Sequence, residues 1–174
     1  PKSAENIFAF VKNYIQNNFG GKCVYDEAER ITTDCQLKMP TVLDAYAGVT
    51  SFGITVADIC RKVVSVEENK ESVELADEML KLNEIKNIEL HNMDTQKFFD
   101  KELKTKKRKF DVIILDPPRK GCTEECLNYT AELCKGKIIY ISCNPATLAR
   151  DLKYLTSKGA KVEFIQPFDM FCHT

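Results

Sequence analysis

At 174 residues the chain is long enough to bury a proper core within one domain, and 44% hydrophobic with 29% charged residues is ordinary globular composition. No apolar run approaches the roughly 18 residues of a membrane span, and the opening PKSAENIF is no secretory leader, so the expected location is cytoplasmic. A net charge of −1 neither announces nor excludes a nucleic-acid partner.

Residues 3–18 predict an amphipathic helix with Ile7, Phe8, Phe10, Val11 and Tyr14 on its apolar side, stopped by Gly20-Gly21. The piece 22–40 fits either a hairpin or an irregular lead-in. From residue 41 onward, β-branched runs (41–46, 62–67, 87–92, 110–116, 137–142 and 161–166) alternate with helical patterns. In 69–82, Val73, Ala76, Met79 and Leu80 share one face behind an Asn69 N-cap; in 146–157, Leu148, Leu152 and Leu155 recur at helical spacing. The basic run KTKKRK at 104–109 reads as a solvated loop. This alternation predicts a doubly wound α/β fold with a mostly parallel sheet. No internal repeat or low-complexity linker divides the chain. It is expected to comprise a helix and lead-in over 1–40 and one α/β domain over 41–174.

The stretch LDAYAGVTSFG at 43–53 is a strand, a glycine turn and a helix start. In an open α/β sheet, ligands bind beyond the carboxyl ends of the strands. Asp44 ends the first strand, Glu67 the second and Asp116 the fourth, and Asp94 follows the third, so four acids are expected to rim one crevice. Glu67 lies about 20 residues beyond the turn, where an acid accepts hydrogen bonds from ribose hydroxyls. Gly48 permits the tight turn, but Thr50 stands where a pyrophosphate site needs glycine. A cofactor with a ribose and no phosphate fits better, and S-adenosylmethionine meets that description.

Two further segments carry chemistry. DPPRKGC at 116–122 follows an apolar strand, and its prolines make a rigid loop flanked by an acid and an arginine. In YISCNPATLARD at 140–151, Asn144 is a preferred N-cap and Pro145 a preferred first helical residue, so Cys143 lies against a helix N-terminus. The partial positive charge there favours a thiolate. The other seven cysteines show no zinc-like or iron–sulfur-like spacing, no metal is expected, and these thiols read as reduced and structural.

LDAYAGV, SVE, DPPRKGC, YISCNPATLARDL and PFDMFCHT together resemble the RNA uracil-5-methyltransferases of 23S ribosomal RNA and tRNA. The resemblance runs from about residue 41 to the end, and PFDMFCHT looks closer to the ribosomal-RNA members. It implies a Rossmann-like, class I S-adenosylmethionine-dependent methyltransferase fold. It implies Cys143 as the nucleophile that adds to C6 of a flipped-out uracil, so that C5 takes the methyl group. Tyr46, Gly48, Ser51, Glu67, Asp94 and Asp116 fall where the family contacts the cofactor, with Asp44 ending the same strand; Asp116 would also border the target base. The first turn departs from the family's Cys-Gly-Val-Gly by reading Ala47-Gly48-Val49-Thr50. The resemblance also places an RNA-binding barrel and a cofactor contact before Pro1, and the general-base glutamate and last strand beyond Thr174. A catalytic domain cut at both ends, unable to turn over, is therefore expected.

A cytosine-5-methyltransferase shares the cysteine chemistry but is expected to carry Thr-Cys-Ser or Pro-Cys-Ser rather than SCNP. An amino-group methyltransferase would place an aromatic residue where Arg119 follows the prolines. A non-catalytic module that merely binds S-adenosylmethionine or RNA is the rival of another class.

Overall fold

The computed structural model describes residues 2–19, 39–106 and 108–169. The Gly20-Gly21 stop, the lead-in to residue 38, Cys23, Cys35 and Cys172 lie outside them. Helix α1 (Lys2–Phe19) precedes strand β1 (Thr41–Ala45). There follow α2 (Ser51–Val56), β2 (Lys62–Glu67), α3 (Lys70–Leu82), β3 (Ile88–Asn92) and α4 (Thr95–Lys101). The chain closes with β4 (Phe110–Leu115), α5 (Glu124–Leu133), β5 (Cys134–Tyr140) and α6 (Pro145–Ser157). The five strands form one sheet in the order β3-β2-β1-β4-β5, and every neighbouring pair is parallel. This is a Rossmann-like, class I methyltransferase fold. No helix among the described residues is long and apolar enough to cross a membrane.

Side-chain alternation along the strands separates two cores. Val42, Val63, Val112 and Ile114 face α1 and α2, where Val11, Ile15, Phe52 and Val56 complete one cluster. Leu43, Ala45, Val64, Val66, Ile113 and Leu115 face the other way, onto Phe98 and Phe99 of α4, Leu127 of α5 and Leu155 of α6. The expected caps hold: Asn69 accepts from the Ser72 N–H at 2.9 Å and Asn144 from the Ala146 N–H at 3.1 Å, with Pro145 opening α6. The described thiols are all free; Cys60, Cys122 and Cys126 are buried as small hydrophobes.

Two expectations are corrected. The run at 161–166 forms no strand and joins no ladder, although β5 ends the sheet with its outer edge unpaired among the described residues. It instead lays Phe164 against Phe10 and Tyr14 of α1, while Glu163 takes Tyr14 Oη and Lys137 Nζ. The basic run is not simply a solvated loop. Residues Glu102–Lys106 continue α4 as a π-helical turn, and Arg108 folds back onto the buried carboxylate of Glu102 with contacts of 2.7 and 2.8 Å. Arg108 also reaches Glu89, whose carboxyl burial raises but whose bonds from Lys62, Arg108 and His91 hold down at about 2.

Removing a cation that satisfies a buried carboxylate is strongly destabilising. Arg108→Ala is expected to cost about 3 kcal/mol in chemical denaturation, and Lys109→Ala, its exposed neighbour, under about 0.5 kcal/mol.

Candidate functional site

Parallel strands deliver their following loops to one edge, and the site is assembled there from all five of them. The β1 loop begins with Tyr46 and Gly48 at φ 61° and 55°, and Thr50 adopts φ 56° before α2. Glu67 at the end of β2 holds this loop, accepting from the Gly48 N–H and the Asn69 N–H at 2.8 Å each. Asn92 pins the β2 loop from the neighbouring strand end by donating to the carbonyls of Glu67 and Glu68. Asp94 caps α4 through the Lys97 N–H at 2.9 Å. Ser51 opens α2, half-buried.

Asp44 was expected on the rim with the other acids, and it is not there. Strand alternation puts it in phase with Val42, beneath the glycine loop, and it is fully buried. Its Oδ2 accepts from the Gly53 N–H at 2.9 Å and from Thr50 Oγ1 at 3.3 Å, while Oδ1 has no partner. Burial pushes the Asp44 carboxyl up to about 7, opposed by the Gly53 and Thr50 bonds and reinforced by the charges of Asp116 and Glu67. Thr50 is a β-branched residue in a left-handed conformation, which is strained. Its hydroxyl compensates by bonding both Ser65 Oγ and Asp44. Tyr46 turns its ring into the core beside α5, with its hydroxyl 3.3 Å from Cys126 Sγ.

The β4 and β5 loops form the other half. The Asp116 N–H donates to the Ala45 carbonyl at 3.3 Å, tying the start of DPPRKGC to the end of β1. Desolvation at the strand end pushes the Asp116 carboxyl up to about 6, although the residue keeps solvent access. Cys143 is exposed two residues before α6, next to the Asn144 cap. Asn144 Nδ2 and Thr147 Oγ1 both donate to the Arg119 carbonyl at 3.3 Å, which sets the cysteine loop beside DPPRKGC.

One clamp escaped the sequence reading, although its residues lie within the quoted motifs. The buried carboxylate of Asp151 accepts from the Cys122 N–H at 2.8 Å, Tyr140 Oη at 2.5 Å and Arg150 Nε at 2.7 Å. Arg150 Nη2 donates to the carbonyls of Lys120 and Cys122 at 2.9 and 3.2 Å. Gly121 makes this fit possible. It has φ +75°, and a Cβ there would lie 2.5 Å from Asp151 Oδ2 and 2.6 Å from Arg150 Nη2. The signal available in sequence was an Arg-Asp pair in an otherwise apolar-periodic helix, with a glycine at the end of the proline loop.

The family of tRNA (uracil-5-)-methyltransferases matches residues 23–174. A Bacillus cereus protein named as an uncharacterized RNA methyltransferase is 41% identical over 134 residues, which is 77% of this chain and 29% of the relative. A Clostridium tetani protein of the same description is 35% identical over 99% of this chain and 33% of its own length. The chain thus spans about a third of the curated relatives it matches. Among solved structures, the Pyrococcus abyssi tRNA (uracil-54, C5)-methyltransferase with S-adenosyl-L-homocysteine aligns at TM-score 0.56 and 32% identity, over 66% of this chain and 27% of that one. A SAM-dependent methyltransferase from Agrobacterium tumefaciens aligns at TM-score 0.64 over 90% of this chain and 50% of that one; at 16% identity it shares the fold.

Two outcomes are expected. The folded chain keeps the Asp44 proton to about pH 7, whereas an unfolded aspartate loses it near 3.9, so the folded state binds more protons in that window. Stability therefore falls as pH rises through it, and Asp116 acts in the same direction up to about 6. Thermal unfolding should drop by roughly 5 °C between pH 5 and pH 7.5, and by less than half that in Asp44→Asn, whose amide mimics the neutral acid. Gly121→Ala should destabilise the chain by about 2 kcal/mol in denaturant titration, from left-handed strain and the displaced clamp.

Proposed function

This chain belongs to the tRNA (uracil-5-)-methyltransferase family, and on that premise we propose that it methylates C5 of a uridine in RNA, with Cys143 as nucleophile and S-adenosylmethionine as cofactor. The observation that carries this reading is the exposed Cys143 held against DPPRKGC by two bonds to the Arg119 carbonyl.

The crevice suits that cofactor. A Cβ added at Gly48 would meet nothing within 4 Å, so the loop leaves open space above it. The loop from Tyr46 to Gly53 carries no lysine or arginine, and Glu67, Asp94 and Asp116 end or follow the neighbouring strands. An acidic, phosphate-free cradle fits a cation with a ribose. Glu67 uses its carboxylate on two backbone N–H groups, and a carboxylate accepts about four hydrogen bonds, so it has capacity left for ribose hydroxyls. Asp44 acts from behind, holding the loop through Gly53. Asp94 and Ser51 border the same space, and Tyr46 positions the turn with its ring locked into the core.

S-adenosylmethionine supplies an electrophilic methyl group on its sulfonium. Cys143 Sγ, as thiolate, forms a bond to C6 of the uracil ring, and the C5–C6 π pair becomes available at C5 to take that methyl. Asp116, with a carboxyl that ionises at about 6, holds a hydrogen bond to the base or cofactor in either protonation state. Methyl transfer leaves S-adenosylhomocysteine; a general base then takes the C5 proton, the C–H pair re-forms the C5–C6 double bond, and the cysteine leaves C6 as thiolate. The clamp at Asp151 keeps DPPRKGC from drifting away from Cys143.

We take 23S ribosomal RNA as the favoured target, on the strength of PFDMFCHT at 167–174. A tRNA target is the second reading, favoured by the archaeal neighbour that by its name acts on tRNA. RNA carrying 5-fluorouridine, which has no C5 proton to lose, tests the chemistry. With S-adenosylmethionine present, a covalent protein–RNA species is expected whose mass is the sum of the two plus one transferred methyl group, absent in Cys143→Ala. Calorimetric binding of S-adenosylmethionine should weaken at least about tenfold in Glu67→Ala, a loss of about 1.4 kcal/mol. An adduct that persists in Cys143→Ala would assign the nucleophile elsewhere and overturn the reading.

A further inference from the structure

A groove between α5 and α6 begins at Lys120 of the DPPRKGC loop and takes no part in the chemistry above. It encloses about 670 Å³. Leu127 and Tyr154 give it an apolar floor, and Lys120, Arg150 and Lys153 stand along it. Arg150 is committed to Asp151 and to backbone carbonyls. Lys120 and Lys153 are exposed and make no ion pair among the described residues. Lys158, the C-cap of α6, sets its Nζ 5.3 Å from the centroid of the Tyr154 ring. Glu124 is the one exposed acid on the wall.

Its placement matters as much as its charge. Lys120 follows Arg119, whose carbonyl is tied to the cysteine loop. From there the groove follows α6 from Arg150 to Ser157, a run of roughly 10 Å at about 1.5 Å per residue. A strand presenting a base at Cys143 and turning down α6, away from the strand ends, meets first Lys120, then Lys153, then the Tyr154 ring. Single-stranded RNA is held by this combination of cations for phosphates and an aromatic face for a base.

We propose that this groove seats the single-stranded RNA flanking the target uridine, with phosphates on Lys120 and Lys153 and a base against Tyr154. The proposal rests on the reading of the chain as an RNA uridine methyltransferase domain and adds a substrate subsite to it. An apolar floor alone would suit a protein segment equally. The unpaired lysines and the continuity with Cys143 favour a polyanionic strand.

The test is the binding of a short fluorescent oligouridylate to the described chain, measured by anisotropy across a salt series. Neutralising one phosphate contact to a single strand lowers the slope of log K against log salt by about 0.7. Lys120→Gln with Lys153→Gln should therefore weaken binding at low salt by about tenfold or more and flatten the slope by about 1.4. Tyr154→Leu should weaken binding without changing the slope, with circular dichroism and melting unchanged in the lysine variants. Affinity and slope unchanged in the double lysine variant would overturn the proposal. So would polyglutamate competing as well as unlabelled oligouridylate. Formation of the Cys143 adduct with 5-fluorouridine RNA separates the two levels. If the parent chain forms it while the lysine variant binds RNA unchanged, the groove fails alone. If the parent chain neither binds RNA nor forms the adduct, the functional reading fails and takes the groove with it.

Discussion

Strands that all run parallel release their following loops at one edge, and each loop arrives with backbone N–H groups that no ladder can satisfy. Most of the acidic residues at this edge answer that constraint. Glu67 takes the N–H groups of Gly48 and Asn69, Asp44 that of Gly53, Asp94 that of Lys97 and Asp151 that of Cys122. A carboxylate serves better than an amide here because it accepts several donors and carries the charge that strengthens each bond. Residues that look from sequence like ligand-binding groups are therefore also the framework of their own loops. Glu67 illustrates the overlap: removing it would undo the Gly48 turn as well as any ligand contact.

The two acids with raised pKa values divide along the same line. Asp44 is buried with one oxygen unpartnered, so its environment disfavours the charge that its two donors favour. Thr50 is drawn into a left-handed conformation to help satisfy it, and Ser65 completes the cluster. A glycine at that position would relax the backbone and strip the buried carboxylate of a donor. The strain that Thr50 brings to the turn is thus compensated on the spot, by its own hydroxyl. Asp116 lies at the surface end of the same electrostatic neighbourhood, available to a ligand in a way Asp44 is not.

Much of the fold was legible because its signals are local. Five of six β-branched runs became strands, and Asn69 and Asn144 cap the helices that their spacing implied. The sixth run misled because β-branching measures fitness for a ladder, whereas this segment spends its side chains on α1, through Phe164 and Glu163. KTKKRK misled because a run of like charges suggests solvent, while the partner that recruits Arg108 is the lone glutamate six residues before it. In the site, strand-end acids could be found by counting, but the face each presents depends on register. Asp44 needed to be compared in phase with Val42, and Asp151 with a loop 29 residues away. Bonds between positions that far apart leave no periodic trace.

The clamp around Asp151 bears on how such an edge could accelerate a reaction at all. The Arg119, Lys120 and Cys122 backbone is tied to α6 by Asn144, Thr147, Arg150 and Asp151, so the two loops that flank Cys143 form one rigid body. On the proposed chemistry, the translational and rotational freedom that the nucleophile and the base-positioning loop would otherwise surrender in the encounter is already given up when the chain folds. Freezing it once, in the folding free energy, leaves the loss out of every later turnover. Part of the stability of α6 is in this sense stored orientation for the thiol at its head.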